Sequence, residues 1–345
     1  MNIFHGLHAV GRAQACALTI GNFDGVHRGH QAMLALLVNE ARRRDVASCV
    51  LTFEPHPRDY FAALHRNPDL APARIGTLRD KLAELARCGV QQVVVLRFNQ
   101  ALAQLSAQSF IDEVVVRGLG ARHVLVGDDF RFGAKRVGDH AMLVAAGRAH
   151  GFDVACMPSY EANGERVSST AVRQALAAAD MSAVQRLLGR PYAISGHVVR
   201  GRQLGRALGA TRDGAGDGFR TLNLRFSHWK PAASGIFAVL VHGLAEQPLQ
   251  GVANLGVRPS LDPHDVNAGR VLLETHCLDW PAHLDAEGGY GKIIRVELLY
   301  KLHDELRYES LQALTDGIAR DCDQARAYFA TTYVQTRRQT TRDRI

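Results

Sequence analysis

Two histidines three residues apart, His27 and His30, close the run Gly21-Asn22-Phe23-Asp24-Gly25-Val26-His27-Arg28-Gly29-His30. A short apolar run, Ala17–Ile20, precedes it, and a helical pattern from Gln31 to Arg44 follows. Strand, glycine-rich turn and helix start therefore meet at the histidines. Such a junction suits phosphate. Unpaired N–H groups and the positive dipole end of a helix attract anions. Glycines let backbone approach a ligand closely. Imidazole donors can stabilise charge developing on phosphoryl oxygens. A bare His-x-x-His pair would read more readily as surface residues or half of a metal site.

The complete string says more. His-x-Gly-His behind a Gly-Asn-Phe-Asp-Gly turn resembles the signature of the nucleotidyltransferase superfamily, and the longer run looks like its flavin-adenylylating branch. The resemblance implies nucleotide binding by Gly21, Asn22, Phe23, Asp24 and Gly25, with His27 and His30 catalytic. Val126-Gly127-Asp128-Asp129-Phe130-Arg131-Phe132-Gly133 follows a second strand pattern. Acids at a strand's C-terminal end can hold Mg²⁺ or a ribose, or simply form an Asx turn. This run resembles the family's second nucleotide signature, with Asp129 where some members carry Asn. An acid there repels phosphate unless Mg²⁺ intervenes.

Val167-Ser168-Ser169-Thr170-Ala171-Val172-Arg173 reads as a capped helix start. It is similar to the superfamily's Ser-Ser-Thr-x-x-Arg motif, which implies that Ser169 and Thr170 donate to phosphates with Arg173 one turn on. Thr52-Phe53-Glu54-Pro55-His56-Pro57 is a proline-stiffened turn. It resembles the family's flavin-side loop, and His56 is given no catalytic role. The reaction implied is attack of a phosphate on the α-phosphorus of ATP with loss of pyrophosphate. It needs positioning and charge stabilisation but no enzyme nucleophile.

Elements must position these residues. Apolar β-rich runs at Ala17–Ile20, Ala47–Phe53, Gln92–Phe98, His123–Gly127 and Phe152–Met157 alternate with helical patterns. Thr77-x-x-Asp80 opens one helix as a capping box and Gly89 closes it. Ser106–Arg117 and Asp139–His150 supply two more. That alternation predicts a Rossmann-like parallel sheet covered on both faces, with ligands beyond the strands' C-terminal ends.

The pattern changes near residue 185, and Leu187-Leu188-Gly189-Arg190-Pro191 reads as the junction. Short β runs follow at Tyr192–Val199, Phe219–Phe226, Gly235–His242, Gly251–Val257, Val271–Leu278 and Lys292–Tyr300. They predict an antiparallel barrel or sandwich, closed by a helix from Ser310 to about Ala330. The expected division is 1–185, 186–330 and a polar tail 331–345 that frays.

This half resembles bacterial riboflavin kinase modules fused behind an adenylyltransferase, clearest in Gly251-Val252-Ala253-Asn254-Leu255-Gly256-Val257-Arg258-Pro259. The whole chain therefore resembles the bifunctional riboflavin kinase/FAD synthetase family, over about residues 15–330. The resemblance implies that Glu274, in Leu273-Glu274-Thr275-His276, is the general base for the riboflavin 5′-hydroxyl. It also implies that Thr221 and Asn223 help hold Mg²⁺ and the ATP phosphates. In a strand, Glu274 and His276 share one face. Gly196–Arg206 is a glycine-rich loop whose Gly201, Gly205 and Arg206 are the nucleotide-binding candidates.

Two departures stand out. The family runs Leu-Gly into Phe-Pro-Thr-Ala-Asn. Here Ala210–Gly218 intervenes before Phe219-Arg220-Thr221-Leu222-Asn223, and Arg220 replaces the proline. A fixed φ is lost and a cation gained. A second lengthening, Pro281–Gly288, precedes Gly289-Tyr290-Gly291-Lys292. An enzyme with a weak or silent kinase module is therefore one alternative. A flavin-sensing, RNA-binding regulator is another, motivated by the arginines of the tail.

Composition bounds the rest. The chain has 345 residues, 47% of them hydrophobic, enough for two cores. No apolar run reaches about 18 residues, so no transmembrane helix is expected. The first residues lack a basic region followed by an apolar core, so no secretory signal is expected. Six cysteines occur without a Cys-x-x-Cys pair, which argues against zinc or a disulfide framework and for a cytoplasmic setting. The +7 charge is spread without a basic–aromatic stripe, which favours phosphate-bearing small ligands over nucleic acid. Gly291-Lys292 is followed by Ile293, so no Walker A motif exists there. The expected ligands are ATP, riboflavin, FMN, FAD and pyrophosphate, with Mg²⁺ and no tightly bound prosthetic group.

Overall fold

The structure, a computed structural model, describes residues 1–7, 15–162, 164–200, 220–226, 230–257, 271–281, 284 and 289–333. The chain divides into two compact units. The first comprises Met1–Pro72, Leu78–Val172 and Leu187–Gly189. The second comprises Ala73–Thr77, Arg173–Arg186 and Arg190–Ile345.

In the first unit lie β1 (Asn2–His5), β2 (Cys16–Ile20), β3 (Ala47–Glu54), β4 (Gln92–Arg97), β5 (Ala121–Gly127) and β6 (Asp153–Met157). They form one sheet in the order β1-β4-β3-β2-β5-β6, parallel throughout. Every residue of β2 is buried, as a central strand covered on both faces requires. The short edge strand β1 is not legible in the sequence pattern. It pairs with β4, Asn2 opposite Gln92.

The helices are α1 (Arg28–Arg43), α2 (Pro57–Leu64), α3 (Leu78–Arg87), α4 (Gln100–Gln104) and α5 (Ala107–Ser109), then α6 (His140–His150), α7 (Ser169–Ala177) and α8 (Met181–Leu188). The segment expected as one helix over Ser106–Arg117 instead passes from α5 into a π-helical stretch, Phe110–Gly118. α6 begins at the Asp139 cap and ends at Gly151 in the left-handed region (φ 76°), as its sequence predicts. A small hairpin, β7 (Glu161–Ala162) with β8 (Glu165–Arg166), precedes α7. Leu34, Leu37 and Val50 pack one face of the sheet, and Phe110, Ile111 and Leu143 pack the other.

The second unit contains β9 (Ala193–Val199), β10 (Thr221–Arg225), β11 (Gly235–His242), β12 (Leu249–Val257), β13 (Val271–Cys277) and β14 (Ile293–His303). They close into an antiparallel barrel in the order β10-β13-β12-β11-β14-β9. The sandwich alternative is thereby removed. Burial alternates strictly along β13, with Val271, Leu273, Thr275 and Cys277 buried and Glu274 and His276 half-buried. Helix α9 (Leu311–Tyr328), capped by Ser310, lays Ile318, Cys322 and Ala325 against the barrel.

Candidate active sites

In the first unit the strand order reverses between β2 and β5, the switch point where doubly wound sheets take ligands. A cavity of about 930 Å³ opens there. Gly21, Asn22, Phe23, His27 and His30 line it from the end of β2, Gly127–Asp129 from the end of β5, and Ser168–Thr170 from the start of α7.

The turn after β2 is strained. Phe23 (φ 48°) and Val26 (φ 39°) occupy the left-handed region without being glycine, and Val26 is β-branched. Both side chains are buried, which holds them there. The Thr52 hydroxyl donates to the Asn22 carbonyl (3.3 Å), and the Ser169 hydroxyl donates to the Asp24 carbonyl (3.0 Å). Ser169 therefore fixes the turn from the helix side, and Ser168 caps α7 through the Ala171 N–H (3.2 Å).

His27 caps α1: its Nδ1 accepts from the His30 N–H at 3.3 Å, which leaves any ring proton of the neutral form on Nε2. The two imidazoles stack, centroids 3.7 Å apart and 17° from parallel. Gly29 makes this close approach feasible, since a Cβ there would lie 3.2 Å from the His27 ring and 3.3 Å from the Val167 carbonyl. His30 Nδ1 is shielded from solvent and has no hydrogen-bond partner among the described residues; the Asn22 Oδ1 is in the same position. Burial, then the charge of His27, then that of Lys81, holds the His30 pKa well below its ordinary value. His30 thus lines the cavity as a neutral imidazole with one buried ring nitrogen unsatisfied among the described residues, a costly state for a polar group.

Asp24 is buried and contributes its backbone, while Gly25 supplies a positive φ (81°) for the turn. Asp129 lines the cavity and lies 3.3 Å from the Arg166 guanidinium, so a cation already offsets its charge. Asp128 is held below the usual carboxylate range by the Ser159 N–H. Arg173 belongs to the second unit, where its Nε donates to the Ala73 carbonyl (2.6 Å).

Several residues escaped the sequence reading. Arg58, Arg131, Lys135 and Arg136 add cations to the lining, and Phe53, Phe61 and Phe98 form an aromatic end. Lys81 is 4% exposed, and its ammonium donates to Thr52 Oγ1 (3.3 Å), one step from the Asn22 carbonyl. Its signal was a lysine within the apolar stripe Leu78, Leu82, Leu85. His56 caps α2 through the Arg58 N–H.

In the barrel, register does the assembling. Asn223 on β10 lies directly opposite Glu274 on β13, and Asn254 on β12 lies opposite Glu274 on its other side. Thr221 lies opposite His276. Register partners share a face, so a carboxylate sits between two amides with a hydroxyl one step away. Asn223 is nearly fully buried and spends its Nδ2 on the Thr221 carbonyl (3.3 Å), which leaves Oδ1 as an acceptor or ligand. The Asn254 Oδ1 is buried without a hydrogen-bond partner among the described residues. Such hard oxygens suit Mg²⁺. His276 is held below its ordinary pKa by burial, against a hydrogen bond from its Nδ1 to the Arg220 carbonyl (2.9 Å) and reinforced by the charge of Arg326. Gly201, Gly205, Arg206 and the Ala210–Gly218 insert lie outside the described residues.

A doubly wound sheet with a phosphate-type cleft at its switch point, followed by a closed barrel bearing a carboxylate between amides, defines a two-unit transferase. Residues 10–171 match the FAD synthetase family and residues 188–329 the riboflavin kinase family. The bifunctional riboflavin kinase/FMN adenylyltransferase of Escherichia coli (strain K12) is 44% identical over 96% of this chain and 99% of its own. Those of Pseudomonas fluorescens and Haemophilus influenzae are 43% and 38% identical, over 96% and 95% of this chain and 98% and 99% of their own. In fold alone, a crystal structure of a macrolide-efflux protein from Streptococcus pneumoniae is similar at a TM-score of 0.66. It is 23% identical and matches over 94% of this chain and 99% of that one. The chain belongs to the family of bifunctional riboflavin kinase/FMN adenylyltransferases.

Proposed function

We propose that the chain phosphorylates riboflavin to FMN in the barrel unit and adenylylates FMN to FAD, with release of pyrophosphate, in the parallel-sheet unit. The observation that carries the second step is the stacked His27–His30 pair, with its unpartnered Nδ1, at the switch-point cavity. The His27 and His30 rings donate to the α-phosphate as charge builds on its oxygens. The start of α7 offers backbone N–H groups and Thr170 to the departing pyrophosphate. Gly21, Asn22, Phe23, Asp24 and Gly25 hold the nucleotide. Arg166 lets Asp129 sit beside phosphates without strong repulsion.

In the barrel, Glu274, paired in register with Asn223 and Asn254, takes the proton of the riboflavin 5′-hydroxyl. Thr221 and Asn223 are the residues that would hold Mg²⁺, which when bound neutralises phosphate charge. Gly201, Gly205 and Arg206 are assigned to the ATP phosphates. We place the domains at 1–185 and 186–330. Among the described residues no helix is long and apolar enough to cross a membrane. The reading places the enzyme in the cytoplasm with small molecules as its ligands.

The test is a product assay. Purified chain is given riboflavin, ATP and Mg²⁺ in one tube and FMN, ATP and Mg²⁺ in another, and the flavins are resolved by chromatography. FMN and FAD from riboflavin are expected. FAD from FMN with riboflavin untouched would limit the function to adenylylation. No conversion in either tube would overturn the assignment.

A further inference from the structure

Arg200 and Arg220 are the described residues on either side of segment 201–219, and each meets an aromatic ring from the same neighbouring connection. The Arg220 guanidinium lies 5.4 Å from the centroid of Trp280, and that of Arg200 lies 5.6 Å from the centroid of Tyr290. Both distances fall within cation–π range. Topology puts all four on one rim of the barrel. β9 ends and β10 starts there, and so do the end of β13 and the start of β14.

Further contacts tie the rim. The Arg220 carbonyl accepts from His276 Nδ1, and the Arg200 carbonyl accepts from the Arg225 guanidinium (3.4 Å). Trp280 Nε1 donates to the Leu284 carbonyl at 3.1 Å, and the Gly291 N–H donates to the Val198 carbonyl at 2.9 Å. Gly289 closes the contact. A Cβ there would lie 2.6 Å from Leu222 Cδ2 and 3.4 Å from the Trp280 ring, so β10 and Trp280 pack directly on its backbone. The rings thus come from the flanks of one lengthened connection and the arginines from the flanks of the other.

We propose that Arg220–Trp280 and Arg200–Tyr290 form a two-point brace that fixes the start of β10, and with it Thr221 and Asn223, for phosphoryl transfer. Arg220 stands where the family pattern has proline. Proline fixes φ covalently. The brace fixes the same backbone through a stacked guanidinium and a carbonyl held by His276. The four side chains are positioning residues: their effect reaches the reaction only through Thr221 and Asn223. The proposal rests on the assignment of riboflavin phosphorylation to the barrel.

The experiment compares Arg220→Ala, Trp280→Leu, Arg220→Pro and the Arg220→Pro/Trp280→Leu double variant in the full chain. Two readouts are taken: riboflavin phosphorylation, and amide hydrogen exchange of Thr221–Arg225. Arg220→Ala and Trp280→Leu should each lower kcat/KM for riboflavin phosphorylation about 3- to 30-fold, the scale of a lost cation–π contact. Both should speed exchange in Thr221–Arg225, while FMN adenylylation by the same molecules stays at the wild-type rate and reports intact folding. With Arg220→Pro in place, Trp280→Leu should cost almost nothing in either readout.

The brace is overturned if Trp280→Leu leaves both phosphorylation and exchange unchanged. It is also overturned if Arg220→Pro is as impaired as Arg220→Ala with wild-type exchange, which would mean that the guanidinium itself meets the nucleotide. Should the wild-type chain fail to phosphorylate riboflavin, the functional assignment falls, and exchange in Thr221–Arg225 still decides for or against the brace.

Discussion

In the first unit the groups proposed for the chemistry line the cavity from separate strand ends: His27 and His30 after β2, Asp129 after β5, and Thr170 from α7. In the barrel, Thr221, Asn223, Asn254 and Glu274 come from three adjacent strands in register. The first arrangement needs strained backbone and side-chain ties between distant segments, such as Ser169 to the Asp24 carbonyl. The second needs only the two-residue period of a strand and correct pairing. A loop-built site is open to adjustment at each tie, whereas a register-built site stands or falls with its strands. Its vulnerable parts are the connections at the rim.

The comparison is most sharply tested by separating the two chemistries in one chain. Glu274→Gln keeps the shape and the flanking amides but removes the base. FMN formation from riboflavin should fall by about 10²–10⁴-fold, the usual contribution of a positioned base. FAD formation from FMN should be unchanged. Phosphorylation within a few-fold of wild type would remove Glu274 from the proton transfer.

The reciprocal change is His30→Ala. Loss of a donor aimed at developing phosphoryl charge should slow FAD formation from FMN by about 10²–10³-fold and leave riboflavin phosphorylation intact. His27→Ala should do the same and also cost about 1 kcal/mol of stability, since His27 Nδ1 caps α1. Equal kcat in wild type and both variants would show that the stacked pair is structural.

Much of this was legible in the residues, and unevenly so. The strand-end motifs announced themselves because glycine, histidine and capping residues are each required by the backbone they occupy. All five expected strands of the sheet and all six of the barrel formed, because period and β-branched content decide them. The barrel was expected from the run of short strands, although its closure rests on β9 meeting β10, a pairing that local pattern does not itself specify. Lys81 and Arg166 were hidden for a related reason: their meaning lies in what they face across the fold. The π-helical stretch at Phe110–Gly118 likewise keeps an apolar spacing that an α-helix also satisfies.

A smaller effect is expected from adding one methyl group at each kind of site. Gly133 has φ 72°, and a Cβ there would lie 2.6 Å from the Ala107 backbone. Gly251 sits within β12, where a Cβ would lie 2.6 Å from the His276 carbonyl. Backbone yields to neither without rearrangement, so alanine at each should cost about 1–3 kcal/mol of stability. Gly133→Ala should then raise KM in the adenylylation assay alone. Gly251→Ala, which displaces the strand carrying Glu274, should impair phosphorylation alone. Loss of both activities from either variant would argue that the two sites are not independently built.

The finest contrast is in acid. His30 is neutral in the fold, mainly because burial penalises its cation, so the unfolded chain binds that proton more tightly. As pH falls through the unfolded value near 6.5, His30 therefore works against folding of the first unit. His303 in the barrel has the opposite sign. Burial pulls its pKa down, but the 2.7 Å contact with Asp321 and the bond to the Asp304 carbonyl outweigh it, and the pKa is raised. The stability contributed by His303 is then fully present below about 6.5 and is lost as pH rises through its raised folded value. His303→Gln should lower Tm more at about pH 6 than at about pH 8.5, because only the protonated ring donates from both nitrogens to Asp304 and Asp321. His30→Gln should shift in the other direction, its Tm improving relative to wild type as pH falls, because the variant has no buried imidazole to charge. Gaps that stay constant across this range for both variants would mean that neither imidazole changes its proton affinity on folding. The acid responses of the two units would then need another origin.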